Sequence, residues 1–369
     1  MKTNRIGYID AMRGFTMVLV VFSHICAMCL GDRWMGWNDV FFLFRLPCFF
    51  FISGWLFEKP ERQWDGTTIK SVVKKKFMVQ IVPTFIFLLF LAPPPLYFSR
   101  LGATKGGYWF TFALFVFFLL NIFSSWLVRK RSAKQQDLFL FAFALIVSVS
   151  AFCYDIFYNR YFSHLGWLTK GLGFVSLMTW RYYLFFYVGT YVKRHFEAFI
   201  RWTSKPIIII LVVVGFFAIS QIPHSECIPL VYFVFAVGGI MGLTMIFTAF
   251  RYLGFYISSH PTPHFSLFIF HFLIYIGTRT LDIYLLHYLF LPRFLLAYGD
   301  QLRAYDSKLL EFFVALILAL IVVGLCLIAS RIVRLSPFLA KYLFGVTAKK
   351  KNKRAFGLLA EKLYFCTKI

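Results

Sequence analysis

Apolar residues fall in long runs along this chain, and polar residues are confined to short intervals between them. Ten windows are long enough to cross a hydrocarbon layer about 30 Å thick, which takes roughly 20 helical residues. They are Gly14–Leu30, Val40–Phe57, Phe77–Phe98, Phe110–Val128, Leu138–Tyr154, Leu172–Val192, Pro206–Ile222, Leu230–Phe250, Gly277–Leu296 and Leu309–Ser330. The stretch Phe265–Leu296 is too long for one straight span, so its first part is expected to lie on the surface or re-enter. The longest polar interval, Glu58 to Lys76, is too short to build a core of its own. The pattern predicts an all-α polytopic membrane protein of about ten transmembrane helices. One hydrophobic body covers residues 1–334, and a basic tail follows over 335–369.

Composition agrees: 60% of residues are hydrophobic, 21% are aromatic, and mean hydropathy is +0.74. A soluble domain of this length has no use for so many long apolar runs. The net charge of +24 changes the picture only through where it sits. Of the 39 Lys and Arg residues, 28 fall at the termini or in alternate loops on one side, 7 in the opposite loops and 4 inside windows. By the positive-inside rule both termini are cytoplasmic. A nucleic-acid partner would need those cations gathered on a folded face with stacking aromatics, so none is expected. The run Lys349-Lys350-Lys351-Asn352-Lys353-Arg354 suits anionic headgroups of the bilayer instead. The first apolar stretch lacks a small-residue cleavage site and carries Asp10, Arg13 and His24, so it is expected to remain as an uncleaved span.

Seven cysteines are scattered along the chain. Cys26 and Cys29 have the spacing of a metal or redox pair, but no second pair accompanies them, and they sit in an apolar helix. All are expected to pack as small apolar residues. His164, His195, His224, His260, His264 and His271 show no spacing with carboxylates that suggests a metal, and no metal site is predicted.

The informative residues are the polar ones inside apolar windows. Arg13 and His24 are eleven residues apart, about three helical turns, so they share a face and lie roughly 16 Å apart along the axis. With Arg13 at the surface, His24 sits near the middle of the layer, where an ionisable group is costly and marks a functional site by default. Asp10, three residues before Arg13, can orient its guanidinium. In the second window Arg45 needs a partner or a wet cavity. Pro47 frees a backbone carbonyl, and Ser53 and Gly54 let a neighbouring helix approach closely. Tyr284 and His287 share a helix face, and Arg279–Asp282 is an i,i+3 pair expected to be a structural salt bridge. Trp109 at the start of a span is either an interface anchor or a stacking platform.

These residues together resemble the acyltransferase-3 family of bacterial membrane acyltransferases. The resemblance rests on Arg13 and His24 flanking ten residues and on Pro47 through Gly54. It continues in order with Lys74-Lys75-Lys76 before Ile81-Val82-Pro83, Tyr108-Trp109-Phe110, Phe185-Phe186-Tyr187-Val188-Gly189, and Leu281-Asp282-Ile283-Tyr284-Leu285-Leu286-His287. It covers the chain to about Arg334. Two departures stand out: the family's basic motif often has cations three residues apart, whereas Met78 follows Lys75 here, and Arg45 is not part of the family pattern.

The resemblance implies an enzyme of the bacterial inner membrane. It would move an acyl group, usually acetyl, from cytoplasmic acyl-CoA to a hydroxyl of a lipid-linked or extracytoplasmic glycan, with no tightly bound cofactor. A thioester is already activated; the hydroxyl needs a base and the tetrahedral oxyanion a donor. Neutral His24, with an intrinsic pKa of about 6.5, suits the base, although a covalent acyl-His remains open. Arg13 and Lys74, Lys75 and Lys76 would bind the CoA phosphates. Arg45, Ser53, Trp109, Tyr284 and His287, with Asp10, would line the pore or acceptor pocket, Tyr284 or His287 alternatively donating to the oxyanion. The rival expectation is a transporter or flippase that moves a glycan or lipid intermediate without chemistry; the sequence lacks the internal repeat typical of that class.

Overall fold

The computed structural model describes residues 6–91, 107–157, 177–222, 227–260 and 263–346. Lys2, Arg5, His164, His224, Cys366 and the basic run 349–354 lie outside the described residues, as do 92–98 and 172–176 of the third and sixth windows. The chain folds as α1 (Gly7–Cys29), α2 (Asn38–Phe57), α3 (Gly66–Lys76), a π-helical turn (Phe77–Ile81), α4 (Val82–Leu91), α5 (Trp109–Leu127), α6 (Ala133–Phe157), a 3-10 segment (Leu177–Tyr182) and α7 (Tyr183–Arg194). It continues with α8 (Phe196–Thr203), α9 (Pro206–Ser220), α10 (Ile228–Ser259), α11 (His264–Thr278), α12 (Thr280–Phe290), a 3-10 segment (Arg293–Tyr298), α13 (Gly299–Arg303), α14 (Lys308–Val333) and α15 (Pro337–Phe344). The protein is an all-α polytopic membrane protein. Among the described residues, α1, α2, α5, α6, α10 and α14 are each long and apolar enough to cross a membrane. The bent pairs α8–α9 and α11–α12 raise the number to eight if each is one span.

The first helix is the hub. Of its apolar window 72% is buried, against 28% for α14 and 22% for α6. It touches α2, α10, α11, α12 and α14. The outer helices instead present apolar residues outward, such as Ile207, Leu211 and Val214 on α9 and Ile317, Ile321 and Ile328 on α14. Hydrocarbon, not water, suits that surface.

Helices in lipid gain little from burying apolar area, so close backbone contact carries much of their packing. Two glycine-mediated crossings supply it. At Gly14 an added Cβ would strike the Leu273 carbonyl, and at Gly277 it would strike the Asp10 carbonyl, so α1 and α11 meet backbone to backbone. Gly54 faces the Phe186 carbonyl and Gly189 the Phe51 carbonyl, which seats α2 against α7 in the same way. Asp282 ties α12 to α14: Arg334 reaches its carboxylate with Nε and Nη2, both at 2.8 Å, whereas Arg279 is 3.9 Å away. The structural salt bridge expected at Asp282 is thus made chiefly with Arg334. Residues beyond Arg334 continue into α15, where Phe344 stacks on Phe87.

The ninth window, Gly277–Leu296, is not one helix. It breaks at Arg279, where α11 and α12 meet at 88°, and again at Leu291–Pro292. Proline removes an N–H and forces its predecessor out of the helical region, and Leu291 is extended at φ −64°, ψ 122°. The first part of Phe265–Leu296, expected to lie on the surface or re-enter, is α11: it is held against α1 by the Gly14–Gly277 crossing, and its 88° bend into α12 is that of a broken span or a re-entrant loop.

Replacing Gly277 with Leu should cost more than the roughly 1–3 kcal/mol typical of overpacking, because backbone and not a flexible side chain stands in the way. A thermal melt in detergent checks this; an unchanged midpoint would deny the crossing.

Candidate active site

On α1, His24 is half-buried, and His287 and Tyr288 on α12 close over it. The His24 and His287 rings stack with centroids 4.9 Å apart. Nδ1 of the fully buried His287 lies 2.7 Å from the Tyr284 carbonyl and 3.2 Å from that of Ile283. A carbonyl only accepts, so Nδ1 carries the proton. Nε2 of neutral His287 is then bare and lies 3.1 Å from Nδ1 of His24, which must donate to it. The proton of neutral His24 is thereby assigned to Nδ1, which leaves Nε2 as its accepting nitrogen. That is the atom a general base needs.

Tyr288 answers to the state of that nitrogen. Its hydroxyl is 3.3 Å from His24 Nε2 and 3.2 Å from the Gly107 carbonyl. With one proton to give, it donates to Nε2 when that atom is bare, and to Gly107 when Nε2 is protonated. Gly107 has φ +97°, in the left-handed region that favours glycine, and an added Cβ would meet the Tyr288 ring at 2.5 Å. The Tyr284 hydroxyl donates to the same carbonyl at 3.1 Å and accepts from the Phe110 N–H at 3.2 Å. Tyr108 adds a bond to the Leu285 carbonyl at 2.9 Å. Together these pin the start of α5 to α12.

His24 opens into a cavity of about 720 Å³. Arg13 and Lys76 line it at the end where α1 begins; Ser53, Trp109 and Tyr284 line its flanks. Beyond His24, toward the other end of α1, stand Arg33, Arg45 and Arg181. Arg45 solves its burial partly through Asn38: Nη1 donates to Asn38 Oδ1 at 2.6 Å, and Asn38 Nδ2 donates to Ser23 Oγ at 3.3 Å, next to His24. Trp109 stacks on Tyr182, centroids 5.9 Å apart. The Ser53 hydroxyl donates to Phe49 within its own helix at 2.8 Å.

Four residues expected at the site are not on the cavity wall. Lys74 and Lys75 are exposed on α3; consecutive helical residues diverge by about 100°, so only Lys76 can face inward. Asp10 is buried where Gly277 packs against its backbone. His287 stands behind His24, with its Nδ1 proton committed to backbone, and so cannot donate to an oxyanion; the Tyr284 proton is committed likewise.

The family model described as an acyltransferase domain, that of the acyltransferase-3 family, matches residues 6–346. The chain belongs to the acyltransferase-3 family. It is a membrane acyltransferase, which removes the rival expectation of transport without chemistry. No curated protein and no solved structure matches it.

In this acyltransferase the basic end of the cavity is built from crowded cations. The Lys76 amine sits 3.7 Å from the Phe118 ring centroid and 5.2 Å from that of Phe57. Burial, with the charges of Arg62, Arg13, Lys75 and Lys59 around it, pushes this amine down to about 7. On the other edge of Phe57, Arg62 borders a second cavity of about 770 Å³. Lys59, Arg129, Lys130 and Trp64 also line it.

Sequence reasoning missed Tyr288, Gly107, Arg33 and Arg181. Tyr288 follows Tyr284 by four residues, so one helix face was already signalled. Arg181, a lone cation inside an apolar window, deserved the scrutiny given to Arg45.

Because Lys76 loses its charge as pH rises through about 7, and a bound anion favours the charged form, acetyl-CoA should bind more weakly at pH 8.5 than at pH 6. In Lys76→Met that part of the pH dependence should vanish. Titration calorimetry in nanodiscs measures both.

Proposed function

We propose that this acyltransferase takes an acyl group, acetyl in the first instance, from acyl-CoA on the cytoplasmic face of a bacterial inner membrane. It delivers the group to a hydroxyl of a lipid-linked or extracytoplasmic glycan, and both chain termini are cytoplasmic. The observation that carries the reading is the position of His24: it lines a cavity whose basic end holds Arg13 and Lys76, and Nε2 is its accepting nitrogen.

The donor enters at that end. Its phosphates pair with Arg13 and Lys76, and the second cavity beside Arg62, Arg129 and Lys130 has room and charge for the nucleotide. The pantetheine arm, long and mostly apolar, then runs inward along α1 toward His24, roughly 16 Å away. The acceptor hydroxyl gives its proton to His24 Nε2 as its oxygen attacks the thioester carbonyl. His24 Nδ1–H stays bonded to His287 Nε2, and the imidazolium that forms is stabilised by the Tyr288 oxygen. The tetrahedral intermediate collapses, the C–S bond breaks, and the leaving thiolate takes the proton from Nε2. An ester and free CoA result, and no external energy is needed because the thioester supplies it.

His24→Ala should lower acceptor-dependent CoA release by about 10²- to 10⁴-fold, the usual worth of a general base, in protein that remains monodisperse. Undiminished release would dismiss His24 as the base. His287 acts through His24, so His287→Ala should lower kcat with little change in the KM for acetyl-CoA. His287→Gln, which keeps an oxygen able to accept from His24 Nδ1, should recover part of the loss; equal loss in both variants would reduce His287 to packing. Arg13→Ala should raise the KM for acetyl-CoA, and an unchanged KM would remove Arg13 from the donor site.

A further inference from the structure

Away from the main cavity, a crevice of about 180 Å³ lies between α9 and α10. Late in α9 the two helices touch closely: an added Cβ at Gly215 would strike Met241 at 2.9 Å, and one at Gly242 would strike Phe216 at 2.8 Å. Toward the start of α9 the crevice opens, with Ile209 and Val213 on one wall and Met245 and Ala249 on the other. The threonines in its lining do not make it polar. Thr203 and Thr244 donate to the Phe199 and Ile240 carbonyls of their own helices, at 2.9 and 2.8 Å. Pockets for whole small molecules run to about 300–1,000 Å³; this one suits a stretch of a single acyl chain. The exposed Ile207, Leu211 and Val214 beside it already place α9 against hydrocarbon.

The mouth of the crevice is cationic. There α8 meets α9 at 80°. Phe196 and Phe199 of α8 pack on Trp55 and Phe247, while Arg201 and Trp202 are exposed. That is the composition of a helix lying at a membrane interface. Glu197, one turn before Arg201, is the only acid on α8. The corner that follows carries Ser204 and the exposed Lys205.

Arg251 reaches this corner from α10. Its Nη1 and Nη2 both donate to Ser204 Oγ at 3.1 Å, and its guanidinium lies 4.6 Å from the Tyr252 ring centroid. Both partners are neutral. Among the described residues no carboxylate bridges this arginine, and its buried Nε has no hydrogen-bond partner. Ser204 follows Thr203 and Arg251 precedes Tyr252, two residues of the crevice lining, so the unmet charge stands at the crevice mouth. A Cβ added at nearby Gly254 would meet Tyr8 at 3.0 Å, which puts this mouth on the side where α1 begins.

We propose that this corner binds one anionic phospholipid. Its phosphate oxygens are held by Arg251, with Lys205 and Arg201 beside them, and one of its acyl chains lies in the crevice between α9 and α10. A guanidinium suits phosphate oxygens, and basic sites between helices at the membrane surface are where acidic headgroups are held. The bound chain fills the gap that the parting helices leave, so the lipid completes the seating of α9 on α10. The site is independent of the acyl-transfer reading.

The test titrates the purified protein in neutral detergent with phosphatidylglycerol or phosphatidylcholine and counts bound lipid by native mass spectrometry. The first phosphatidylglycerol should bind roughly tenfold or more tighter than phosphatidylcholine. Arg251→Gln should raise its Kd roughly ten- to hundredfold, the loss of a charge-assisted hydrogen bond. Ala249→Phe, which fills the crevice, should weaken both lipids. Arg331→Gln removes an equal charge from the exposed end of α14 and should change neither. Lys205→Gln, at an exposed position, gives the headgroup reading should Arg251→Gln fail to fold. Equal affinity for the two lipids, or an effect at Arg251 no larger than at Arg331, would overturn the proposal. So would full binding by Ala249→Phe, because a phosphate contact without a seated chain is not this site.

Discussion

One hydrogen bond, from His287 Nδ1 to the Tyr284 carbonyl at 2.7 Å, organises the centre of this protein. It lies within a single helix, yet it assigns every proton along the line to His24 Nε2. Nothing at the site can be rotated freely without breaking it. If His287 held the other tautomer, His24 would carry its proton on Nε2 and have no accepting nitrogen there. Burial reinforces the constraint, because an imidazole with no exposed surface has no water to offer it a different partner.

The larger architecture follows from the need to hold that helix against α1. A straight ninth span could not both meet α1 at Gly14 and carry His287 to the level of His24. The break at Arg279 separates those tasks. The segment α11 locks onto α1 through the Gly14–Gly277 crossing, and α12 leaves at 88° to bring Tyr284, His287 and Tyr288 to the site. Asp282 then anchors the start of α12 to α14 through Arg334. Because apolar burial contributes little between helices in lipid, glycine contacts and buried polar pairs of this kind fix positions. The bonds from Tyr108, Tyr284 and Tyr288 extend the same rigidity to α5, so the cavity wall and His24 belong to one bonded unit.

Electrostatically the cavity is divided by His24. Arg13 and Lys76 hold one end, and Arg33, Arg45 and Arg181 the other. At the basic end, burial and then the cations crowded around it push the Lys76 amine down to about 7.

The sequence by itself determined the all-α membrane class, since runs of apolar residues of that length have no other stable home. It determined the pairing of Arg13 with His24 on one helix face, because helical periodicity is a local property. The resemblance in motif order also pointed to the family that residues 6–346 match. Periodicity could not say which of Lys74, Lys75 and Lys76 faces inward, nor that Asp10 is covered by α11, because those answers depend on which neighbour packs where. It predicted Tyr284 and His287 on a common face but not their work. Only the tertiary structure, by setting an imidazole from α12 within 3.1 Å of one from α1, decided which nitrogen of His24 is free. Hydrogen-bond direction between residues 263 positions apart is a matter of ångströms, and no spacing rule along a chain carries that information.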